Sequence, residues 1–441
     1  MPGELKESTT MQVRDEATLS ATEMVAMQRE AWRETVAYVR RHSPFYREWW
    51  DRCGVPPRSR LGLEQRHRLP TLDKRVLSEE GRGLLCVPER RVVDVVTTSG
   101  STGQPLIWRL TEADLERLAA NELLSFRCAG VTPSDTVILA VTLDRCCMAG
   151  MAYFLGLRRL GASVARVGPS TPAMCLDMVG RLGATAVVGV PSFLAQAWQR
   201  AAASAEGTSK LKVRLAVCIG EPVRESGFAL NDVGRTLAAG GVVRVASSYG
   251  VTELASSLCE CEAGIGSHLH PQLLHLEAVD EKGMPVADGE VGELTATTFG
   301  VEAMPLIRYR TGDCAAMFHG RCACGRVTPR VGPIVGRKSQ KLKFKGVTLF
   351  PSTLKSILDS TEGVGRYAIV AHRDGPLSDR VEVRLTFRGD PARVRRELTE
   401  RFRGEAKVAP LLSQATDSEV ESLQFPEGAR KRRYFVDLRL A

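Results

Sequence analysis

The 441-residue sequence holds no apolar stretch near the roughly 20 residues needed to cross a bilayer, which excludes a transmembrane helix. No charged-then-apolar leader precedes its mixed polar start. Its twelve cysteines therefore read as reduced thiols of a cytoplasmic protein rather than as a secreted disulfide framework. No internal repeat and no low-complexity segment occurs, so solenoids and disordered tracts are excluded. A Walker-type G-x-x-x-x-G-K-[ST] spacing is also missing. The excess of 60 Lys+Arg over 51 Asp+Glu, a net +9, is diffuse. Its one dense cluster, Arg430-Lys431-Arg432-Arg433, lacks an aromatic-interleaved RNA motif, and neither a nucleic acid nor a membrane is expected as partner.

What is present describes a folded chain of two or three domains, with 44% hydrophobic and 25% charged residues close to the globular average. Residues 1–20 read as a flexible tail, and residues 24–50 have helical apolar spacing broken by a turn at Ser43-Pro44. Between about 90 and 300, β-branched runs (92–97, 136–141, 164–167, 185–190) alternate with amphipathic stretches (112–127, 151–160). That alternation predicts βαβ units and a parallel sheet covered on both faces. After Gly336-Arg337 the pattern restarts with strands at 341–344, 366–371 and 380–387 and helices at 354–358 and 393–402. The expected fold class is α/β, with a large N-terminal domain over 21–337 and a small α+β C-terminal domain over 338–441.

The clearest motif follows the first of these strands: Thr97-Thr98-Ser99-Gly100-Ser101-Thr102-Gly103-Gln104-Pro105. Glycines let backbone amides approach an oxyanion, and the hydroxyls add donors without bulk, so this loop suits a pyrophosphate. Downstream, in order, stand Gly220-Glu221-Pro222 after an apolar strand, Ser248-Tyr249-Gly250-Val251-Thr252-Glu253, Tyr309-Arg310-Thr311-Gly312-Asp313 and Gly336-Arg337. Taken together these strings resemble the core motifs of the adenylate-forming (ANL) superfamily of acyl-CoA synthetases and adenylation domains. Within it, His42-Ser43-Pro44-Phe45-Tyr46, Met304 to Asp313, Cys322-Ala323-Cys324-Gly325-Arg326 and Lys345 to Ser352 resemble the phenylacetate-CoA ligases and their aryl-CoA ligase relatives.

The resemblance implies a ligase that joins a small carboxylic acid to AMP from ATP and then to CoA, with a mobile C-terminal domain. It implies that Thr98, Ser99, Gly100, Ser101, Thr102 and Gly103 hold the ATP phosphates, and that Gly220, Glu221, Pro222, Ser248, Tyr249, Gly250 and Thr252 line the nucleotide or the acyl group. Glu253 would bind Mg²⁺, a hard cation that prefers carboxylate oxygen. Asp313 would accept the ribose hydroxyls, Arg337 would add a cationic contact, and Ser339 would be the hinge. Lys345 and Gly346 would face CoA, and Lys431 would be the catalytic lysine near the C-terminus. Some relatives carry a zinc, and Cys261, His268, Cys322 and Cys324, with Cys259 and His270 nearby, have ligand types and spacing that suit a structural Zn²⁺. Oligomeric state is left open, a homodimer being one form.

Three departures stand out. Gln104 replaces the lysine that commonly follows the loop glycine, and Lys338-Ser339-Gln340 lacks the usual acidic residue after Gly-Arg. The region that normally lines the acyl pocket reads Leu143-Asp144-Arg145-Cys146-Cys147-Met148-Ala149-Gly150, so the acid need not be phenylacetate. These departures keep two other readings in view: a stand-alone adenylating enzyme that passes the acyl group to an amine or a carrier-protein thiol, and a non-catalytic nucleotide-binding scaffold.

Overall fold

The computed structural model describes residues 11–56, 61–98, 105–168, 170–204, 207, 211–345, 347–374, 378–425 and 433–439. The chain divides into two compact units, one of residues 1–311 and 315–333 and a second of residues 312–314 and 334–441.

In the first unit, helix Ala21–His42 begins at a capping box in which Ser20 and Glu23 satisfy each other's backbone amides. Ser43 then caps the next helix, Pro44–Arg52, so the turn expected at Ser43-Pro44 is a boundary between two helices. The parallel sheet runs in the order Ser163–Arg166, Thr136–Ala140, Ala186–Gly189, Leu215–Ile219, Arg244–Val251, with Ser256–Cys259 added antiparallel at the edge. Its strands Thr136–Ala140, Ala186–Gly189 and Leu215–Ile219 are buried almost without interruption, as a sheet covered on both faces requires. Helices Pro172–Leu182, Pro191–Ala202 and Asp232–Ala239 pack on one another over a core of Val179, Leu194, Trp198, Val187 and Leu237. Helix Glu112–Ala129 packs on helix Met148–Leu160 and on the edge strand Ser256–Cys259.

Two features depart from the expected alternation. The strand Val92–Thr97 does not join the parallel sheet but forms a two-stranded hairpin with Ile107–Thr111. From residue 267 onward the chain builds a second sheet in the order Leu274–Val279, Val291–Thr298, Tyr309–Phe318, Arg330–Val331, Ser267–His268. This sheet escapes the pattern because Thr295, Thr297, Thr298, Glu277 and Glu293 are buried in it although they read as polar in a period-two count.

The loose tail expected over 1–20 needs correction in its second half. Leu19 and Glu16 are buried, the Arg14 amide donates to Gln272 at 3.0 Å, and the Glu16 carboxylate sits 2.9 Å from His270 Nδ1. Residues 1–10 lie outside the described part.

The second unit is a four-stranded sheet in the order Leu411–Gln414, Ser378–Phe387, Val364–Asp374, Phe435–Asp437. Helices Pro351–Asp359 and Pro391–Glu405 share its core, where Leu354, Ile357, Leu398 and Phe402 meet Ile369, Val383 and Leu385. A short hairpin, Leu342–Phe344 with Val347–Leu349, precedes it.

Candidate functional site

In the first unit the predicted residues sit at strand ends: Gly220 and Ser248 to Gly250 where the chain leaves strands of the parallel sheet and exposes its backbone, and Thr98 at the end of a strand of the separate hairpin. Thr98 directly follows Val92–Thr97 and is buried. Its amide donates to the Leu106 carbonyl at 3.0 Å, and its hydroxyl accepts from the Leu106 amide at 3.0 Å. Both ends of the predicted phosphate loop are thus sewn together, while Ser99, Gly100, Ser101, Thr102, Gly103 and Gln104 fall outside the described residues. The Thr97 amide donates to the Cys146 carbonyl at 2.9 Å. That carbonyl comes from a turn in which Arg145 and Cys146 both take left-handed φ values, 57° and 54°, closed by the Cys147 amide on the Asp144 carbonyl. Two such non-glycine residues in sequence are strained, and strain of this kind is held in place only where surrounding structure demands it. The Arg145 side chain is exposed, 3.7 Å from Asp144.

Gly220 follows Leu215–Ile219 with φ 74°, a conformation open to glycine at little cost. It turns the chain so that the Glu221 carboxylate accepts from the Ser192 amide at 3.2 Å and the Ser192 hydroxyl at 3.0 Å, at the start of helix Pro191–Ala202. The Pro222 carbonyl accepts from Asn231 at 2.8 Å. Ser248, Tyr249 and Gly250 close strand Arg244–Val251, with Ser248 buried, Tyr249 half-buried and Gly250 exposed. Thr252 and Glu253 follow in a single turn. Glu253 is buried and accepts from the Tyr309 hydroxyl at 3.3 Å.

Residues that the motifs did not single out hold this arrangement. Arg117 is 1% exposed. Its guanidinium donates to the carbonyls of Phe299 (2.5 Å), Ala255 (2.7 Å) and Leu273 (2.6 Å) and to the Ser256 hydroxyl (3.2 Å). Burial lowers its pKa to about 10, so it remains charged at neutral pH. Ala255, two residues past Glu253, has φ 44°, and Arg117 fixes that carbonyl. Arg308, within the Met304 to Asp313 string, is equally committed to structure, bonding Glu277 at 2.9 Å, the Leu69 carbonyl at 2.7 Å and the Gly283 carbonyl at 2.6 Å. Tyr46 donates to the Pro305 carbonyl at 3.1 Å and accepts from the Ile307 amide at 3.0 Å, which explains the Pro-Phe-Tyr segment as a brace for that string.

The cysteine cluster is assembled as expected. The donor atoms of Cys261, His268, Cys322 and Cys324 lie within 4.8 Å of one another. Cys261 Sγ is 3.7 Å from Cys322 Sγ, and Cys324 Sγ is 3.5 Å from His268 Nε2. Tetrahedral geometry with Zn–S bonds of about 2.3 Å sets sulfurs about 3.7 Å apart, so the donor set fits zinc. His268 Nδ1 lies 2.8 Å from the Thr328 hydroxyl, which leaves Nε2 toward the thiols. Burial, then Arg326 and Arg330, lowers the His268 pKa to about 3, keeping the imidazole neutral and able to ligate. Gly325, at φ 90°, closes the turn with its amide on the Cys322 carbonyl. Cys259 and His270 stand apart: Cys259 ends the edge strand, and His270 bridges Glu16 and the Ser125 hydroxyl, the latter at 2.8 Å.

In the second unit, Arg337 Nε donates to Asp313 Oδ1 at 3.1 Å, and the two residues are cross-strand partners. A Cβ at the adjacent Gly336 would meet the Phe350 ring at 2.6 Å, so glycine is required for this approach. Ser339 is exposed in a single turn, Lys338–Gln340. Lys345 takes φ 49°, with its ammonium 3.5 Å from the Ala409 carbonyl. Gly346 and Lys431 lie outside the described residues. No described helix is long and apolar enough to cross a membrane.

Comparison with known proteins places this geometry in company. Residues 68–302 match the family described as AMP-binding enzyme. The phenylacetate-coenzyme A ligase of Thermus thermophilus is 32% identical over 383 residues, covering 84% of each chain. That of Escherichia coli is 27% identical over 382 residues, again 84% of each. Among solved structures, 2-hydroxyisobutyryl-CoA ligase in its postadenylation state shares the fold with a TM-score of 0.82 at 21% identity, over 98% of this chain and 95% of that one.

Proposed function

The chain belongs to the AMP-binding enzymes and is phenylacetate-CoA ligase-like, and from that premise we propose how its residues carry out the chemistry. The enzyme activates a carboxylic acid with ATP to an acyl-adenylate and converts this to the CoA thioester. In the first step the carboxylate attacks the α-phosphorus and pyrophosphate leaves. In the second, the CoA sulfur attacks the acyl carbonyl and AMP leaves. The observation that carries the reading is the order of the family's strings at strand ends, with Thr98, Glu221 and Glu253 each held by partners on other elements.

The acid is aryl or a close relative, as the names of the relatives suggest. Thr98 and the loop that follows it bind the β- and γ-phosphates, and Gly220 to Pro222 with Ser248 to Thr252 line the nucleotide and the acyl group. Glu253 is a buried carboxylate, the hard donor that Mg²⁺ prefers, and it would hold the ion that neutralises phosphate charge. Asp313 binds the ribose hydroxyls, with Arg337 beside it as an orienting cation. Lys431 meets the developing negative charge at the α-phosphate, and Lys345 and Gly346 face the CoA arm once the C-terminal domain has turned about the Ser339 segment. Cys261, His268, Cys322 and Cys324 would hold a structural zinc, a four-ligand site with no open position for catalysis.

The test is acid-dependent exchange of labelled pyrophosphate into ATP across a panel of aryl, indolyl and heteroaromatic acids, followed by acceptor competition between CoA and amines. Exchange with at least one acid and preferential thioester formation support the reading. Silence across the panel despite ATP binding defeats it, and a product made with amines alone moves the acceptor away from CoA.

A further inference from the structure

Arg439, two residues past the strand Phe435–Asp437, has an unusual set of partners within the second unit. One terminal nitrogen donates to the Lys341 carbonyl at 2.8 Å and to Asp379 at 3.2 Å. The other donates to the Ser339 carbonyl at 2.8 Å and to Asp437 at 2.6 Å, while Nε reaches the other Asp437 oxygen at 2.8 Å. Asp379 also accepts from the Lys343 amide at 2.7 Å. The guanidinium therefore spans the exit of the Lys338–Gln340 turn, whose own closing bond runs from the Lys341 amide to the Lys338 carbonyl at 3.2 Å. Its side chain is 14% exposed and its aspartates 12% and 28%, so these charge-assisted bonds are sheltered from water.

We propose that Arg439 is a positioning residue for the hinge: it ties the carbonyls of Ser339 and Lys341 to the C-terminal strand Phe435–Asp437 and sets how readily the Lys338–Gln340 turn changes shape. The inference rests on the proposed two-step reaction, in which that segment turns between the adenylating and thioester-forming arrangements. A planar fork with five donors is suited to this, because it holds two carbonyls and two carboxylates at once, which an ammonium cannot do. A change of backbone angle at Ser339 or Gln340 moves one carbonyl relative to the other, and the fork cannot follow both. The strand it is anchored to is the one that follows Lys431 in sequence, so hinge shape and the placement of the closing strand are set by one side chain.

The experiment uses the full chain as wild type, Arg439→Ala, Arg439→Lys and, as a control, Arg401→Ala. Arg401 bonds Thr361 at 2.9 Å and pairs with Glu405 at 2.8 Å in the same unit, partners that lie outside the Lys338–Gln340 turn. Hydrogen exchange of peptides covering 338–344, read by mass spectrometry without ligand, is expected to quicken on the order of tenfold in Arg439→Ala, less in Arg439→Lys, and not in Arg401→Ala. The ratio of pyrophosphate exchange to CoA-thioester formation, measured with whichever panel acid supports exchange, is expected to shift at least about fivefold in Arg439→Ala and to stay at the wild-type value in Arg401→Ala. Unchanged exchange at 338–344, or a ratio that moves equally in both alanine variants, overturns the proposal. Should Arg439→Ala fail to fold, Arg439→Lys carries both readouts. If wild type activates no acid, the functional reading falls, and hydrogen exchange alone decides whether Arg439 clamps the turn.

Discussion

Replacing Arg117 by methionine is the sharpest probe of how the predicted Mg²⁺ carboxylate is held. The substitution keeps most of the side-chain volume but removes every donor, leaving the carbonyls of Phe299, Ala255 and Leu273 facing an apolar side chain. A buried polar group left unpaired costs about 1–3 kcal/mol; the Leu273 carbonyl keeps the Phe299 amide at 2.8 Å, so the three groups left short, the Phe299 and Ala255 carbonyls and the Ser256 hydroxyl, cost about 6 kcal/mol at mid-range. Against this, a desolvated cation is no longer buried; the fall of its pKa to about 10 corresponds to about 3 kcal/mol returned. The net expectation is a loss of about 3 kcal/mol of stability in the first unit. Activity should fall further than stability alone dictates, because the Ala255 carbonyl anchors the turn that carries Glu253. A displacement of that carboxylate by an ångström is expected to slow acid-dependent pyrophosphate exchange by roughly tenfold to a hundredfold under conditions where the variant is still folded. Urea unfolding gives the first quantity and exchange kinetics at saturating ATP the second. A variant within about 1 kcal/mol of wild type and with undiminished exchange would refute the reasoning.

Further outcomes follow from individual groups. Elemental analysis of protein purified without added metal should find one zinc per chain, Cys322→Ser should lose it, and chelation should lower the melting temperature without creating or removing an open catalytic position; metal-free protein of equal stability would contradict the cluster's role. Burial raises the Glu122 pKa to about 7, against a hydrogen bond from the Ser257 hydroxyl. A raised carboxyl pKa makes stability fall as pH rises from the ordinary carboxyl range through about 7, so Glu122→Gln should gain stability over wild type at pH 8, by up to about 3 kcal/mol, and gain little at pH 4.5; parallel stability curves for the two proteins would refute this. Burial also depresses the His275 pKa to about 3. That group therefore contributes stability that is complete above its ordinary value and lost as pH falls, and His275→Gln should flatten the acid limb of the unfolding curve below pH 6.5. Lys431→Ala should reduce adenylation by at least about a hundredfold while leaving ATP affinity within a few-fold.

The legible parts of the fold were those with one dominant period. The apolar runs 136–141, 164–167 and 185–190 became strands of the parallel sheet with ends shifted by a residue or so, and the strand at 92–97 kept its bounds, although it pairs in a hairpin outside that sheet. The second sheet was illegible because its buried threonines and glutamates, such as Thr295 and Glu277, look solvent-facing in sequence. Helix Asp417–Gln424 and strand Leu411–Gln414 were missed for another reason: each is too short for periodicity to accumulate. At the site, the motif residues stood out because their strings, in their order along the chain, resemble those of a known family. Their supports could not. Arg117 meets Ala255 across 138 positions and Glu16 meets His270 across 254, distances over which no local pattern operates. Glu16 in particular lies in a stretch whose polar composition reads as a tail, yet it is buried against an imidazole.

The most direct test of the account is product identification: purified protein with ATP, Mg²⁺, CoA and phenylacetate or another acid of the panel, analysed for AMP and for the acyl-CoA. The account predicts AMP and thioester in equal amounts, dependent on the acid and abolished or nearly so in Glu253→Gln. Absence of both products across the panel from a folded, ATP-binding protein, or equal turnover by wild type and Glu253→Gln, would contradict it.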